Sequence, residues 1–161
     1  MIDSNMAVGL WDRSYSFVKQ QTAGVTHDES LIQPPFHSNC INWVLGHLLT
    51  SRSGVMIALG MEPIWSDDKR VFYQRGSEPI TDATKGKALD FDEMLRDFDQ
   101  SQERIIACLK TKSVEDLDQP SDRPNMTLGE RMAFGAWHEG YHAGNIDILR
   151  QMVGKNDTII S

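Results

Sequence analysis

Apolar positions recur at three-and-four spacing in four stretches of the chain, the period of an amphipathic α-helix. The first stretch runs from about Asp3 to Ala23, with Met6, Leu10, Phe17 and Val18 on one face and Gly24 as a natural stop. A second is expected near Ser38, just past Pro34 and Pro35, and runs to Leu59 before Gly60. The third opens at Asp90, with Glu93 three residues on as a variant capping box. It carries Phe91, Met94, Leu95, Phe98, Ile105, Ile106 and Leu109. Ser113-Val-Glu-Asp reads as a short extra turn. The fourth helix has the plainest start, the capping box Thr127-Leu-Gly-Glu130, and stays periodic to about Val153, before Gly154.

Two segments read as non-helical: the connection between the first two helices, and the stretch from Gly60 to Ala88. The latter is rich in turn formers and holds one short strand-like run, Val71-Phe72-Tyr73. A connection of that length usually means a crossover or a functional loop. No set of alternating runs exists from which a sheet could be built. The fold expected is therefore all-α, a four-helix bundle with one long crossover loop between helices 2 and 3.

Composition narrows the function classes. At 161 residues the chain reads as one domain, 1–161, large enough for a core without disulfide or metal staples. Its net charge of −7 argues against nucleic-acid and anionic-membrane partners. Without an 18-residue apolar run, no membrane span is expected. The first residues lack a basic region followed by an apolar one, so no signal peptide is expected either. Cys40 and Cys108 have neither metal-like spacing nor the density of a disulfide framework. A cytoplasmic location is the expectation.

His138-Glu-Gly-Tyr-His142 matches H-E-x-x-H, which on a helix puts two histidines on zinc and a glutamate beside the attacking water. The proteases bearing it draw a third ligand from downstream. The H-x-x-G-x-x-H extension fails here, because Asn145 and Ile148 stand where glycine and histidine would be. A downstream glutamate fails too, because no glutamate follows Glu139. A metalloprotease is therefore a poor reading.

The third ligand has to be sought upstream. Residues four apart on a helix point nearly the same way. His138 and His142 thus share an arc with Phe134, Trp137, Tyr141, Asn145, Leu149 and Met152, which reads as the core-facing side. Two histidines in a core stripe need polar partners, and a divalent metal satisfies both. His27 and His37 fall in the polar, proline-bounded connection between helices 1 and 2. His47 lies mid-helix, sharing its face with Cys40, Trp43, Val44, Ser51, Gly54 and Ala58. It is the candidate third ligand, at a depth matching the pair, although a lone buried histidine is more often just hydrogen-bonded. Cys40 is two turns from His47, too far to join it on one ion. Glu139, at the edge of the arc, is a candidate general base, with a solvated or supporting role as the commoner alternative.

Asn42-Trp-Val-Leu-Gly-His-Leu48 and Trp137-His-Glu-Gly-Tyr-His-Ala-Gly-Asn145, continuing to Leu149-Arg150, resemble the paired motifs of the DinB/YfiT-like superfamily of metal-binding four-helix bundles. Helix count, motif spacing and the long loop agree over nearly the whole chain. Asn145 stands where that family often has glutamine. The resemblance implies an up-down-down-up bundle in which His47, His138 and His142 hold one divalent metal. It also implies thiol S-transferase chemistry, with a low-molecular-weight thiol and a small electrophile as partners, in a homodimer. Trp43, Ser51, Asn145 and Arg75 of the long loop would then shape the substrate pocket. Zinc suits three histidines best, with nickel, iron, copper and manganese as alternatives. Metal-assisted hydrolysis with Glu139 as base, and a non-enzymatic, stress-associated metal-binding role, stay open beside it. Ala133, Ala136, Gly140, Ala143 and Gly144, opposite the histidines, form a small-residue face suited to packing against a second subunit.

Overall fold

The computed structural model describes residues 2–36 and 38–157. Seven α-helices follow in order: α1 (Ser4–Thr22), α2 (His27–Ser30), α3 (Ile41–Ala58), α4 (Asp67–Tyr73), α5 (Phe91–Leu109), α6 (Val114–Leu117) and α7 (Leu128–Met152). Among the described residues there is no strand, only an isolated bridge between Pro120 and Thr127. The four long helices α1, α3, α5 and α7 form the bundle.

Local chemistry starts these helices. The Thr127 hydroxyl accepts from Glu130 N at 3.2 Å while the Glu130 carboxylate accepts from Thr127 N at 2.8 Å, a complete capping box for α7. Ser113 and Asp116 cap α6 in the same reciprocal way, and Asp90 caps α5 by accepting from Glu93 N. The second long helix starts at Ile41 behind Cys40, three residues later than Ser38.

Side-chain pairs give the helix directions. Between α1 and α7, Trp11 meets Gly135, Ser14 meets Glu139, and Arg150 meets the carbonyl of Gln21, so both residue numbers rise together and the helices are parallel. Between α3 and α7 the numbers run oppositely: His47 meets His138, and Gly54 meets Arg131. Between α3 and α5, Asn42 meets Leu89 just before α5, and Arg52 meets Ser101, so these two are parallel. Between α1 and α5, Tyr15 meets Asp99 and Asp12 meets Gln102, which is antiparallel. The result is the up-down-down-up bundle, with the connection from α3 to α5 as its crossover.

Three expectations need correction. The run Val71-Phe72-Tyr73 is the end of α4, not a strand; Ser66 precedes it and Asp67 and Asp68 place negative charge in its first turn, where the helix dipole favours it. The buried face of α1 is Ala7, Trp11, Ser14, Val18 and Gln21, while Met6 is 53% exposed and Leu10 also faces solvent. One tryptophan outweighed two smaller apolar side chains in choosing the face. Finally, Ala136 and Ala143 are buried inside the bundle rather than offered to a second subunit, and only Gly140 and Gly144 of that small-residue set are exposed.

The core is divided. One apolar cluster gathers Val18, Leu45, Leu48, Trp65, Tyr73, Phe91, Phe98 and Ile146; the other gathers Trp11, Val55, Met56, Ile105, Leu109 and Met132. Between them lies a polar layer to which each long helix contributes at matching depth: Ser14, Arg52, Ser101 with Gln102, and Glu139, all buried.

Candidate metal centre

Mid-bundle positions on α3 and α7 bring three imidazoles together. His47 Nε2 lies 3.3 Å from His138 Nε2, and His138 Nε2 lies 3.1 Å from His142 Nε2. One nitrogen from each ring falls within 4.8 Å of the others. Zinc–nitrogen bonds of about 2.0–2.1 Å at a tetrahedral angle separate neighbouring ligand nitrogens by about 3.3–3.4 Å. The two short sides of the triangle, 3.3 and 3.1 Å, are close to that separation.

Hydrogen bonding cannot satisfy this triangle by itself. His47 Nδ1–H donates to the Tyr73 carbonyl at 3.0 Å, which leaves its Nε2 a bare lone pair. His138 Nε2 sits between two nitrogens, and a single proton can serve only one of those contacts. His138 Nδ1 is buried without a hydrogen-bond partner among the described residues. Burial pushes all three imidazoles below their ordinary value, His138 to about 4 and His142 to about 3, the neighbouring histidines adding to the effect on these two. At neutral pH the three rings are therefore uncharged, the form that ligates. The donor set fits a divalent cation, which would accept all three lone pairs at once and leave at least one position open.

Neighbouring groups orient the rings. Trp43 stacks on His47, with centroids 5.1 Å apart and planes 9° from parallel, and its indole N–H donates to Ser77 Oγ at 3.0 Å. Trp43 is thus a buried backing for the ligand. The Tyr73 hydroxyl donates to Asn42 Oδ1 at 3.0 Å and accepts from Leu89 N at 2.9 Å, which fixes α4 and with it the carbonyl under His47. Gly46 is required at this contact, since a Cβ there would overlap the Tyr73 ring. Asn145 lies 3.3 Å from His142 Nδ1 through its amide group; with the amide oxygen turned to that nitrogen it accepts from Nδ1–H. Ser51 is half-buried one turn beyond His47, with no hydrogen bond to the three histidines among the described residues. Arg75 is exposed. Cys40 is buried at the start of α3, its thiol pushed up by desolvation. His27 Nδ1 accepts from Phe91 N, away from the centre, and His37 lies outside the described residues.

Glu139 is 1% exposed, which excludes the solvated role. Its Oε1 accepts from Arg52 Nε at 2.5 Å, and its Oε2 accepts from Arg52 Nη2 at 3.0 Å and from Ser14 at 2.9 Å. The carboxylate is turned into the polar layer. The histidine arc is core-facing only in part: Leu149 is buried, but Trp137 is 62% and Tyr141 60% exposed. Phe134, Trp137 and Tyr141 form a ladder of ring contacts along the open side of α7, and Tyr141 packs edge-on against His142. Arg52, Tyr73 and Ser77 escaped the sequence reading. A basic residue at a core position of α3 was the signal for the first; no local pattern announces the other two.

No curated protein matches the chain. Among solved structures, a conserved protein from Enterococcus faecalis is similar in fold. Its TM-score is 0.72 at 16% identity, over 96% of this chain and 99% of that one. The sequence profile of the DinB superfamily matches residues 10–146. That span holds all three histidines, and the chain belongs to the DinB superfamily.

Proposed function

We propose that the protein is a divalent-metal-dependent thiol S-transferase, with zinc at His47, His138 and His142, acting on a small electrophile with a low-molecular-weight thiol. The observation that carries the reading is the triangle of uncharged imidazoles, half-buried between α3 and α7. DinB members are commonly metal-binding, which agrees with it. A divalent cation held by His47, His138 and His142 would supply Lewis acidity, lowering the pKa of a nearby thiol so that its proton passes to solvent near neutral pH. The chain's residues do the rest. Trp43 and the Tyr73 carbonyl hold the His47 ring, Asn145 holds His142, and Ser51 and the exposed ring ladder of α7 line the approach. The sulfur forms a new C–S bond while the leaving group departs with its electron pair.

Hydrolysis with Glu139 as base has less support, because that carboxylate is engaged by Arg52 and Ser14. We further propose a cytoplasmic homodimer. Two cysteines outside any disulfide agree with a reducing compartment, and Ile148 and Met152, exposed beyond the ring ladder of α7, offer an apolar face for a second copy. Among the described residues no helix is long and apolar enough to cross a membrane.

Zinc-loaded protein should conjugate a thiol to a generic electrophile faster than its His142→Ala variant. Equal rates overturn the transferase reading. A monomer mass by light scattering at micromolar concentration overturns the dimer.

A further inference from the structure

The seam between α3 and α7 continues past the histidines. His47 pairs with His138, and seven residues further along α3, Gly54 pairs with Arg131, seven residues back along α7. Both partners are thus two helical turns, about 10 Å, from the triad on the same seam. Ser51 and Phe134 fall between the two levels. The Arg131 side chain is 4% exposed and lies against the α3 backbone, its Nη2 3.5 Å from where a Cβ of Gly54 would stand. Its Nε donates to Asp122 at 3.2 Å, while its Nη1 is buried with no partner among the described residues. A buried guanidinium donor left without an acceptor is costly, so an unfilled donor of this kind points to a ligand.

A second guanidinium approaches the same place. Arg123 lies with Cζ 4.4 Å over the Phe134 ring, and Phe134 stacks on His138 with centroids 6.3 Å apart. Arg123 forms no ion pair among the described residues. Burial lowers the Arg131 value and the Arg123 charge adds to the effect, as expected of two close cations. Among the described residues Asp122 is the one carboxylate bonded to either guanidinium, and it is 44% exposed; the nearby Glu130 carboxylate accepts from Thr127 N in the α7 capping box. Asp118 lines the surface cavity beside Arg123 without pairing with it. Asp118, Asp122 and Glu130 balance the two cations at the surface, while the buried Nη1 of Arg131 and the Arg123 guanidinium over Phe134 have no carboxylate bonded to them among the described residues.

We propose that Arg131 and Arg123 form an anion subsite that binds a carboxylate, sulfonate or phosphate group of the substrate whose reacting atom sits at the triad. Planar guanidinium forks suit such oxyanions. Phe134 would bear the chain joining the two ends, and Ser51 flanks it from α3. The subsite rests on the reading of the triad as the reaction centre, and it adds that one reactant is an anion spanning two helical turns.

Two measurements separate the ideas. Calorimetry of zinc-loaded protein with sulfate, a weak zinc ligand, should show binding that falls roughly tenfold or more in Arg123→Gln, the loss of one charged hydrogen-bonding group. Arg123 is half-buried, so this variant keeps the test alive if Arg131→Lys fails to fold. No sulfate binding, or equal binding in Arg123→Gln, overturns the subsite. The second measurement follows the absorption of cobalt-loaded protein with 6-mercaptohexanoate and 6-mercaptohexanol. A preference for the carboxylate that disappears in Arg123→Gln supports the subsite and assigns the anion to the thiol. Equal affinities with sulfate binding intact assign the anion to the electrophile. If neither thiol perturbs the cobalt while sulfate still binds, the thiol reading fails and the anion subsite stands.

Discussion

Replacing Glu139 by glutamine removes one charge from the centre of the bundle and almost no volume. In the native protein Arg52 is wholly buried and makes a two-pronged bond to Glu139. Its other donors go to Ser101 Oγ at 2.9 Å, Gln102 Oε1 at 3.0 Å and the Phe98 carbonyl, and the guanidinium lies 3.8 Å from the Phe98 ring centroid. Glu139→Gln leaves that cation buried without a counter-charge, and breaking such a pair costs about 3–5 kcal/mol. Against a typical total of about 5–15 kcal/mol, this is a large share of the folding free energy. The double replacement Arg52→Met with Glu139→Leu should recover most of the loss, since buried pairs exchanged for apolar residues are often neutral or better. Ser14 and Ser101 would not be stranded, because Ser101 donates to Phe98 O and the Ser14 proton released from Glu139 can go to Trp11 O. Urea unfolding with an unchanged m value is the assay, paired with elemental analysis of zinc. A loss below about 1 kcal/mol for Glu139→Gln, or a double variant less stable than the single one, refutes the reasoning. The same variant examines the catalytic question: folded, zinc-replete Glu139→Gln should retain activity, and its abolition would restore Glu139 as a general base.

Other perturbations follow from the same geometry. His47→Ala should lose most of its bound metal while staying folded, read by elemental analysis and circular dichroism; full metal content would remove His47 from the ligand set. Gly46→Ala forces the Tyr73 ring away and should cost about 1–3 kcal/mol by overpacking. Because the Tyr73 carbonyl orients His47, the same variant should weaken zinc binding by about 10–100-fold in chelator competition. Tyr73→Phe loses the hydroxyl's bonds to Asn42 and Leu89 and should cost about 1–3 kcal/mol. Burial pushes the Tyr73 phenol up to about 12, so the unfolded phenol deprotonates first, and the wild type should lose stability as pH rises from 10 to 12. Tyr73→Phe should show a shallower decline over that window; parallel curves would refute the assignment.

The bundle was legible because its long helices carry their own start signals and periodicity; Thr127 and Glu130 place the α7 terminus where the chain reads it. What failed was the choice of face. Helix α1 offers Met6 and Leu10 on one side and Trp11 on another, and only tertiary packing against Gly135 settles that Trp11 goes in. On α7 the apolar count favours Trp137 and Tyr141 as core, yet Ala136, Glu139, Ala143 and Ile146 are the residues inside. The inward face there is small because α1 lies close against it, and polar because Arg52 sits opposite. The α4 helix was hidden by β-branched and aromatic residues in a seven-residue element, too short for periodicity to register. A polar residue recurring at core depth on four helices was present in the chain as Ser14, Arg52, Ser101 and Glu139. Pairing them requires the helix directions, which no single helix contains.

That polar layer gives the glutamate of H-E-x-x-H different partners here from the attacking water it faces in a metalloprotease. On any helix the glutamate follows the first histidine by about 100° of rotation, so the five residues dictate the same local geometry everywhere. The difference lies in what the next helix presents. Here α3 presents His47 to the histidines and, five residues on, Arg52 to the glutamate. One antiparallel neighbour therefore supplies both partners, a third imidazole for the histidines and a counter-charge for the glutamate. A carboxylate held by a bidentate guanidinium and a serine hydroxyl is stabilised as the anion and turned from the open side of the centre, a poor position from which to take a proton. The guanidinium pair also ties α3 to α7 beside the three histidines, and Ser14 ties α1 to the same carboxylate.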